Sequence, residues 1–300
     1  MSQSQAAGSI AGIWRFPVKS MKGERVCATD VTQRGMVGDR ANALIDKETG
    51  KVVSAKSVRH FPDLFGYQAA YVESPQAGQE LPAVRISLPD GSTVDSSADN
   101  VDRVLSDSLG RDVTLAHSAP DDFTIDMYHP DIEDADPRGR RNSTVEQKLG
   151  SAFFDEAGMD SPVARESFFD LFPVTVLTTS TLDELRRLQP KADFDERRFR
   201  MNLIIDANTG GFIENDWIER EVVIGDSVRL VVTMPDPRCI MTTLAQDELP
   251  RDNEVLRTLV QHNRLPVAGA GAFPCAGVYA VITGPGTVSV GDDVVVADAS

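Results

Sequence analysis

The chain has 300 residues, of which 46 are acidic and 30 basic, for a formal net charge of −16. That length allows one large or two ordinary domains with a sizeable core. The acidity excludes a general nucleic-acid binder, which needs clustered Lys and Arg against phosphate, and also excludes docking on anionic lipid.

The first residues are polar, with no basic or long apolar run, so neither a signal peptide nor a membrane span is expected. Short strands follow over residues 10–16, 24–31 and 42–46, the last turning through Lys47-Glu48-Thr49-Gly50 into 51–53. Strands at 67–72, 83–88 and 92–94 continue the pattern. Pro89-Asp90-Gly91 supplies a turn, because proline presets φ and glycine accepts φ > 0. Residues 98–109 place Val101, Val104, Leu105 and Leu109 on one helical face, with Gly110 as the stop.

Residues 118–142 are acidic, then basic, and read as a long connecting loop. His129 with Asp131, Glu133, Asp134 and Asp136 shows no ligand spacing and reads as a solvated loop. A strand over 174–177 runs into Thr178-Thr179-Ser180-Thr181. Ser180 and Asp183 have capping-box spacing before a helix carrying Leu182, Leu185 and Leu188. Such a helix start is either an anion site or an ordinary N-cap. Further strands are expected at 203–206, 221–224, 227–232, 240–243, 277–283 and 288–296, with a helix over 254–262. The class is α+β, mainly β: a barrel-like sheet with peripheral helices.

Three cysteines, Cys27, Cys239 and Cys275, form no C-x-x-C pair. They cannot furnish a four-cysteine zinc or iron–sulfur site, and their sparseness suits a reducing cytosol. Cys239 is the most informative. In Asp236-Pro237-Arg238-Cys239 a fixed cation adjoins the thiol, which favours thiolate, the form that attacks or binds soft metals. The prolines oppose regular structure before it, so the thiol is expected where a loop enters a strand. A small buried hydrophobe is the competing reading.

Three basic segments stand out in this acidic chain: residues 16–23, 34–40 and 197–202. A focused positive site within an acidic protein suits a small anionic ligand. No G-x-S-x-G, no P-loop and no convincing G-x-G-x-x-G occurs. His60, His117, His129 and His262 are the histidines available to Cys239, and His262 is expected at the surface.

Phe16-Pro17-Val18-Lys19-Ser20, Gly38-Asp39-Arg40, Arg198-Phe199-Arg200-Met201-Asn202, Pro237-Arg238-Cys239-Ile240-Met241-Thr242-Thr243 and Gly286-Thr287-Val288-Ser289-Val290-Gly291-Asp292 occur in this order. The ordered set resembles the MOSC-domain proteins over roughly residues 9 to 297. The resemblance implies an N-terminal MOSC-associated β-barrel domain at 9–125 and a MOSC domain at 126–297. Within the family it points to the amidoxime-reducing components. It implies a molybdenum cofactor (Mo-molybdopterin) with Cys239 as metal ligand and catalytic residue. Lys19, Ser20 and Arg40 would contact the pterin or its phosphate, with Arg200, Asn202, Arg238 and the Thr179-Ser180 turn completing the cradle. Met201 replaces a common proline, and Met21 stands where many members have a small residue or cysteine. Cys27 and Cys275 are expected to be buried structure.

The implied activity is reduction of N-hydroxylated small molecules in the cytoplasm, with electrons from a separate reductase or ferredoxin-like protein. Two alternatives stay open: a sulfur carrier or transferase using a Cys239 persulfide, and a non-catalytic sensor of an anionic metabolite. Pyridoxal phosphate binding is a further family-level possibility.

Overall fold

The computed structural model describes residues 4–267 and 269–297. The chain begins with β1 (Ser4–Arg15), β2 (Glu24–Val26), β3 (Ala28–Thr32), β4 (Gly35–Met36) and β5 (Ala43–Asp46). It continues through β6 (Gln68–Tyr71), β7 (Val84–Ser87), β8 (Thr93–Asp95), α1 (Val101–Leu109) and β9 (Val113–Ala116). β6, β7 and β8 form a small meander, and β5 pairs with β9. The expected 42–46/51–53 hairpin is reduced to a single bridge between Ile45 and Val52, because β5 takes β9 as its ladder partner. Gly110, at φ 65°, ends α1 as its sequence position predicts.

Residues 118–142 are not one loop. β10 (Thr124–His129) pairs antiparallel with β11 (Ser143–Lys148). Alternation of Ile125 with polar neighbours satisfies the strand period despite the acidic composition, and Ile125 is buried with Phe123, Leu149 and Phe168. The domain boundary expected between residues 125 and 126 therefore falls inside β10. Among the described residues no group of three or more His, Cys, Asp or Glu is placed to hold a metal.

After α2 (Ser151–Ala157) come β12 (Val174–Thr178), α3 (Thr179–Leu188), β13 (Leu203–Ala207), β14 (Glu221–Ile224) and β15 (Val228–Pro237). α4 (Glu254–His262), β16 (Arg264–Pro266), β17 (Ala272–Gly284), β18 (Gly286–Ser289) and β19 (Asp293–Ala297) complete the order. β12, β13, β1, β19, β14, β15 and β17 pair in that sequence, and β17 returns to β12, closing a seven-stranded barrel. Only closure removes both sheet edges. β12 and β13 are parallel, and α3 provides the crossover that a parallel pair requires. β-branched residues fill the interior, at alternate positions in Val174 and Val176, Val222 and Ile224, Val294 and Val296, and across a β-bulge in Ile10 and Ile13 of β1.

Two further expectations are corrected. Residues 240–243 are a 3₁₀ turn, not a strand, because the Thr242 and Thr243 hydroxyls bond back to the Cys239 and Ile240 carbonyls. Residues 288–296 divide into β18 and β19, turning at Gly291 (φ 94°). β18 leaves the barrel to pair with β3.

Ile240, Met241 and Leu244 pack into a core made otherwise by the first part of the chain, with Leu44, Tyr67, Ile86, Leu105 and Val113. The segment after Cys239 thus leaves the barrel and anchors in the other lobe. This fixes Cys239 at the seam.

Candidate active site

Cys239 is half-buried and caps the 3₁₀ turn that follows β15. The prolines before it do not break the strand. Pro235 and Pro237 lie within β15, where register shifts against β17 absorb their missing donors. The thiol stands where a strand ends, rather than where one begins.

The polypeptide brings the first two motifs together by backbone bonding. Lys19 N donates to Asn42 O at 2.8 Å, Arg40 N to Phe16 O at 2.8 Å and Asn42 N to Pro17 O at 3.0 Å. Gly38 is required here: its φ is +81°, and a Cβ would lie 2.6 Å from the Tyr71 ring. Ser20, Arg40 and Arg200 all have positive φ (66°, 48° and 55°) without being glycine. Strained backbone at three residues of one cavity marks positions that packing over-determines.

That cavity encloses about 680 Å³ of atom-free space, open mouth included. Cys239, Lys19, Ser20, Arg40, Arg200 and Arg238 line it, with Lys56, Asp170, Asp236 and Tyr279. Five cations face two carboxylates, the reverse of the chain's overall balance. One aromatic platform serves two cations: the Arg200 and Arg40 guanidinium groups lie 4.3 and 4.8 Å from the Phe16 ring centroid.

Asp170 organises one wall. It accepts from Lys19 and, at 2.6 Å, from Lys56. Burial works against its carboxylate, but the two ammonium groups more than offset it and hold its pKa below the ordinary range. Burial pulls Lys19 down to about 8 in spite of Asp170. Burial also opposes the charge on Lys56, but Asp170, Cys239 and Asp236 raise its pKa above that of an ordinary lysine. On the opposite wall burial pushes the Arg200 pKa down, aided by the like charge of Arg40. Arg238 pairs with Asp236 at 2.5 Å and donates to Phe199 O, while its buried Nε has no partner. Burial pushes the Asp236 carboxyl up, partly opposed by Arg238 and by a hydrogen bond with Tyr279. An excess of buried cations and one orphaned donor are what a bound anion would satisfy.

Not every expected residue reaches this cavity. Asn202 is buried behind it, donating to Asp39 Oδ2 at 3.0 Å and accepting from Thr175, so it positions Arg40 through Asp39. Thr179 and Ser180 lie elsewhere, bonded to Asp206 and to Gly211 O. The α3 N-cap is Thr178, whose hydroxyl accepts from Thr181 N, so the Ser180–Asp183 capping box is not formed. The helix start is already occupied from within the chain: the buried Glu214 carboxyl, its pKa pushed up by burial, accepts from the Thr178 and Thr181 hydroxyls. Arg198 is no ligand either. Completely buried, it clamps the following loop by donating to Leu244 O and Pro250 O at 3.0 and 2.7 Å. Arg197 pairs with Asp195 and Glu248. Cys275 is buried as expected, with burial pushing its thiol up to about 12, whereas Cys27 is exposed. At Cys27 the strand expected over 24–31 breaks into β2 and β3.

Residues 7–119 match the MOSC N-terminal beta barrel domain, and residues 164–295 match the MOSC domain. The chain belongs to the MOSC family. Curated MOSC relatives include mitochondrial amidoxime-reducing component 1 of Mus musculus, 27% identical over 97% of this chain and 82% of the relative. The Homo sapiens component 1 is 26% identical over 97% and 83%, and component 2 of Rattus norvegicus 26% identical over 97% and 84%. Among solved structures, the YUAD protein from Bacillus subtilis covers 100% of both chains at 10% identity, with a TM-score of 0.46. No described helix of this MOSC protein is long and apolar enough to cross a membrane.

Proposed function

We propose that this MOSC protein binds a molybdenum–pterin cofactor in the Cys239 cavity and reduces N-hydroxylated small molecules, drawing electrons from a separate reductase or ferredoxin-like protein. The observation that carries the reading is the crowding of five cations and one half-buried thiol into one cavity of a strongly acidic chain. The residues fit the group. The Cys239 thiolate suits a soft or high-valent metal, while Lys19, Lys56, Arg40 and Arg200 suit a phosphate and the orphaned Arg238 Nε an added acceptor.

When bound, the cofactor would supply the oxygen-atom and electron chemistry. The chain's own part is positioning and charge. Cys239 would hold the metal at the seam. Lys19 and Lys56, oriented by Asp170, would neutralise the cofactor's negative charge. Arg40, aimed by Asp39 and Asn202, would complete the phosphate cradle. Lys19, titrating near 8, and the Asp236–Tyr279 pair are the groups that could deliver protons as a hydroxyl oxygen leaves as water.

The test is molybdenum analysis of protein produced in a host with intact cofactor synthesis, beside Cys239→Ala. Near-stoichiometric molybdenum lost in the variant, with reduction of an aryl amidoxime by a chemical electron donor, supports the reading. Well-folded wild type without molybdenum, carrying sulfane sulfur on Cys239, would replace it with sulfur transfer.

A further inference from the structure

Two carboxylates line the Cys239 cavity, and they are held in different ways. The Asp236 side chain is 4% exposed, paired with Arg238 and hydrogen-bonded with Tyr279. The Asp170 side chain is 30% exposed. Among the described residues it accepts hydrogen bonds from the Lys19 and Lys56 ammonium groups alone, with no backbone N–H and no hydroxyl to fix it. Lys56 Nζ has no other acceptor there, and Lys19 Nζ has one more, Phe168 O at 2.7 Å.

The backbone beside Asp170 is anchored. Its carbonyl accepts from Gly150 N at 2.6 Å, and Phe168 N donates to Arg40 O at 3.1 Å. Side-chain torsions of Asp170 are all that must turn to free both ammonium groups. The carboxylate already meets water, so its release strands no buried charge. One carboxylate oxygen meets each lysine, a two-point seat of the kind that holds two oxygens of a tetrahedral oxyanion. A monoanion offers these lysines no more charge than Asp170 does. A dianion offers twice as much, and Coulomb attraction scales with that charge.

We propose that Asp170 is a built-in competitor for this seat and the residue that sets its selectivity: a tetrahedral dianion such as sulfate or a phosphate monoester takes Lys19 and Lys56 from it, and a monoanion does not. Discrimination then comes from what the wrong ligand fails to displace. This role rests on the phosphate-binding half of the reading above and is independent of the metal.

The test is titration calorimetry of the cofactor-free full-length protein with sulfate and with nitrate, at pH 7 and constant ionic strength. Wild type should bind sulfate and give no saturable heat with nitrate. Asp170→Asn should bind sulfate roughly tenfold tighter, the effect of removing one like charge at close range, and should now bind nitrate. No sulfate binding in wild type, or equal or weaker sulfate binding in Asp170→Asn, would overturn the proposal and leave Asp170 only an orienting group. Wild type supplies an independent readout. Its crystal structure with sulfate should show the ion between Lys19 and Lys56, with the Asp170 carboxylate turned away. Sulfate elsewhere, with Asp170 still on both lysines, would also overturn it. Cys239→Ala lacks the metal ligand but keeps the seat, so sulfate binding in that variant separates this result from failure of the molybdenum reading.

Discussion

The Asn202 side chain donates to the Asp39 carboxylate at 3.0 Å, joining a residue of the MOSC region to one of the N-terminal region behind the basic cavity. Asp39 in turn accepts from Arg40 and from Phe16 N at 2.7 Å. One buried amide therefore aims a cavity cation it never touches. Asn202→Ala should lower stability by about 1–3 kcal/mol, read by denaturant unfolding. It should also loosen anion binding at the cavity. Equal sulfate affinity in the variant would show that Arg40 is aimed by other contacts.

Asp170, itself only half-buried, neutralises two buried lysines, so Asp170→Asn should cost about 1.5–3 kcal/mol, the range for hydrogen bonds to a charged group. The folded pKa of Asp170 lies below its unfolded value, so its contribution is complete above about pH 5 and drains as pH falls below about 4. Acid unfolding of wild type should lose this component, and Asp170→Asn should show a flatter profile there. A variant as stable as wild type at pH 7 would refute the assignment.

Sulfate keeps its charge across the neutral and alkaline range and reads the cavity's cations directly. Lys19 loses its proton near 8, whereas the guanidinium groups keep theirs, so sulfate affinity of the cofactor-free protein should hold to pH 7.5 and fall from there to a lower plateau. In Lys19→Met the affinity should be lower at neutral pH and should lose this fall. A wild-type affinity independent of pH up to 9.5 would contradict the burial of Lys19.

Thr179→Ala and Ser180→Ala should leave molybdenum content within experimental error of wild type, in contrast to Lys19→Met or Arg40→Met. Their hydroxyls bond to Asp206 and Gly211 O, away from the cavity. Loss of molybdenum in either alanine variant would return the α3 turn to the cofactor cradle.

Thiol labelling should give three classes. Exposed Cys27 reacts first, half-buried Cys239 more slowly and with protection by sulfate, and buried Cys275 only on unfolding. Cys27→Ser should delete the fast phase alone.

Cys239 and the cations Lys19, Arg40, Arg200 and Arg238 were legible because each sits in a short motif where charge adjoins proline, glycine or an aromatic ring. Lys56, Asp170, Asp236 and Tyr279 escaped because their partners are remote: Lys56 and Asp170 are 114 residues apart. A signal existed for one of them. A lone carboxylate in Phe168-Phe169-Asp170-Leu171-Phe172 predicts a buried charge that needs a cation. Arg198 was indistinguishable from Arg200 locally, since clamp and ligand differ only in which carbonyls lie within reach. The α3 start was misread as part of the cradle because the carboxyl that meets its hydroxyls, Glu214, arrives from 36 residues downstream of Thr178. The barrel class was legible from strand density, but its closure order was not, since β1 finds its barrel partners β13 and β19 at the far end of the sequence, while its local partner β2 lies off the barrel path.

That wiring has a consequence during synthesis. β1 bonds to β13 through Ile10–Ile205 and to β19 through Ser9–Asp293, so the earliest strand waits for the last one. A ribosome adding about 5–20 residues each second would hold the nascent chain with an open barrel for most of its translation. The N-terminal lobe would meanwhile lack Ile240, Met241 and Leu244 from its core. Each half leaves part of its packing to the other. A protein cut between β11 and β12 and expressed as two fragments should regain its structure only when both are present together.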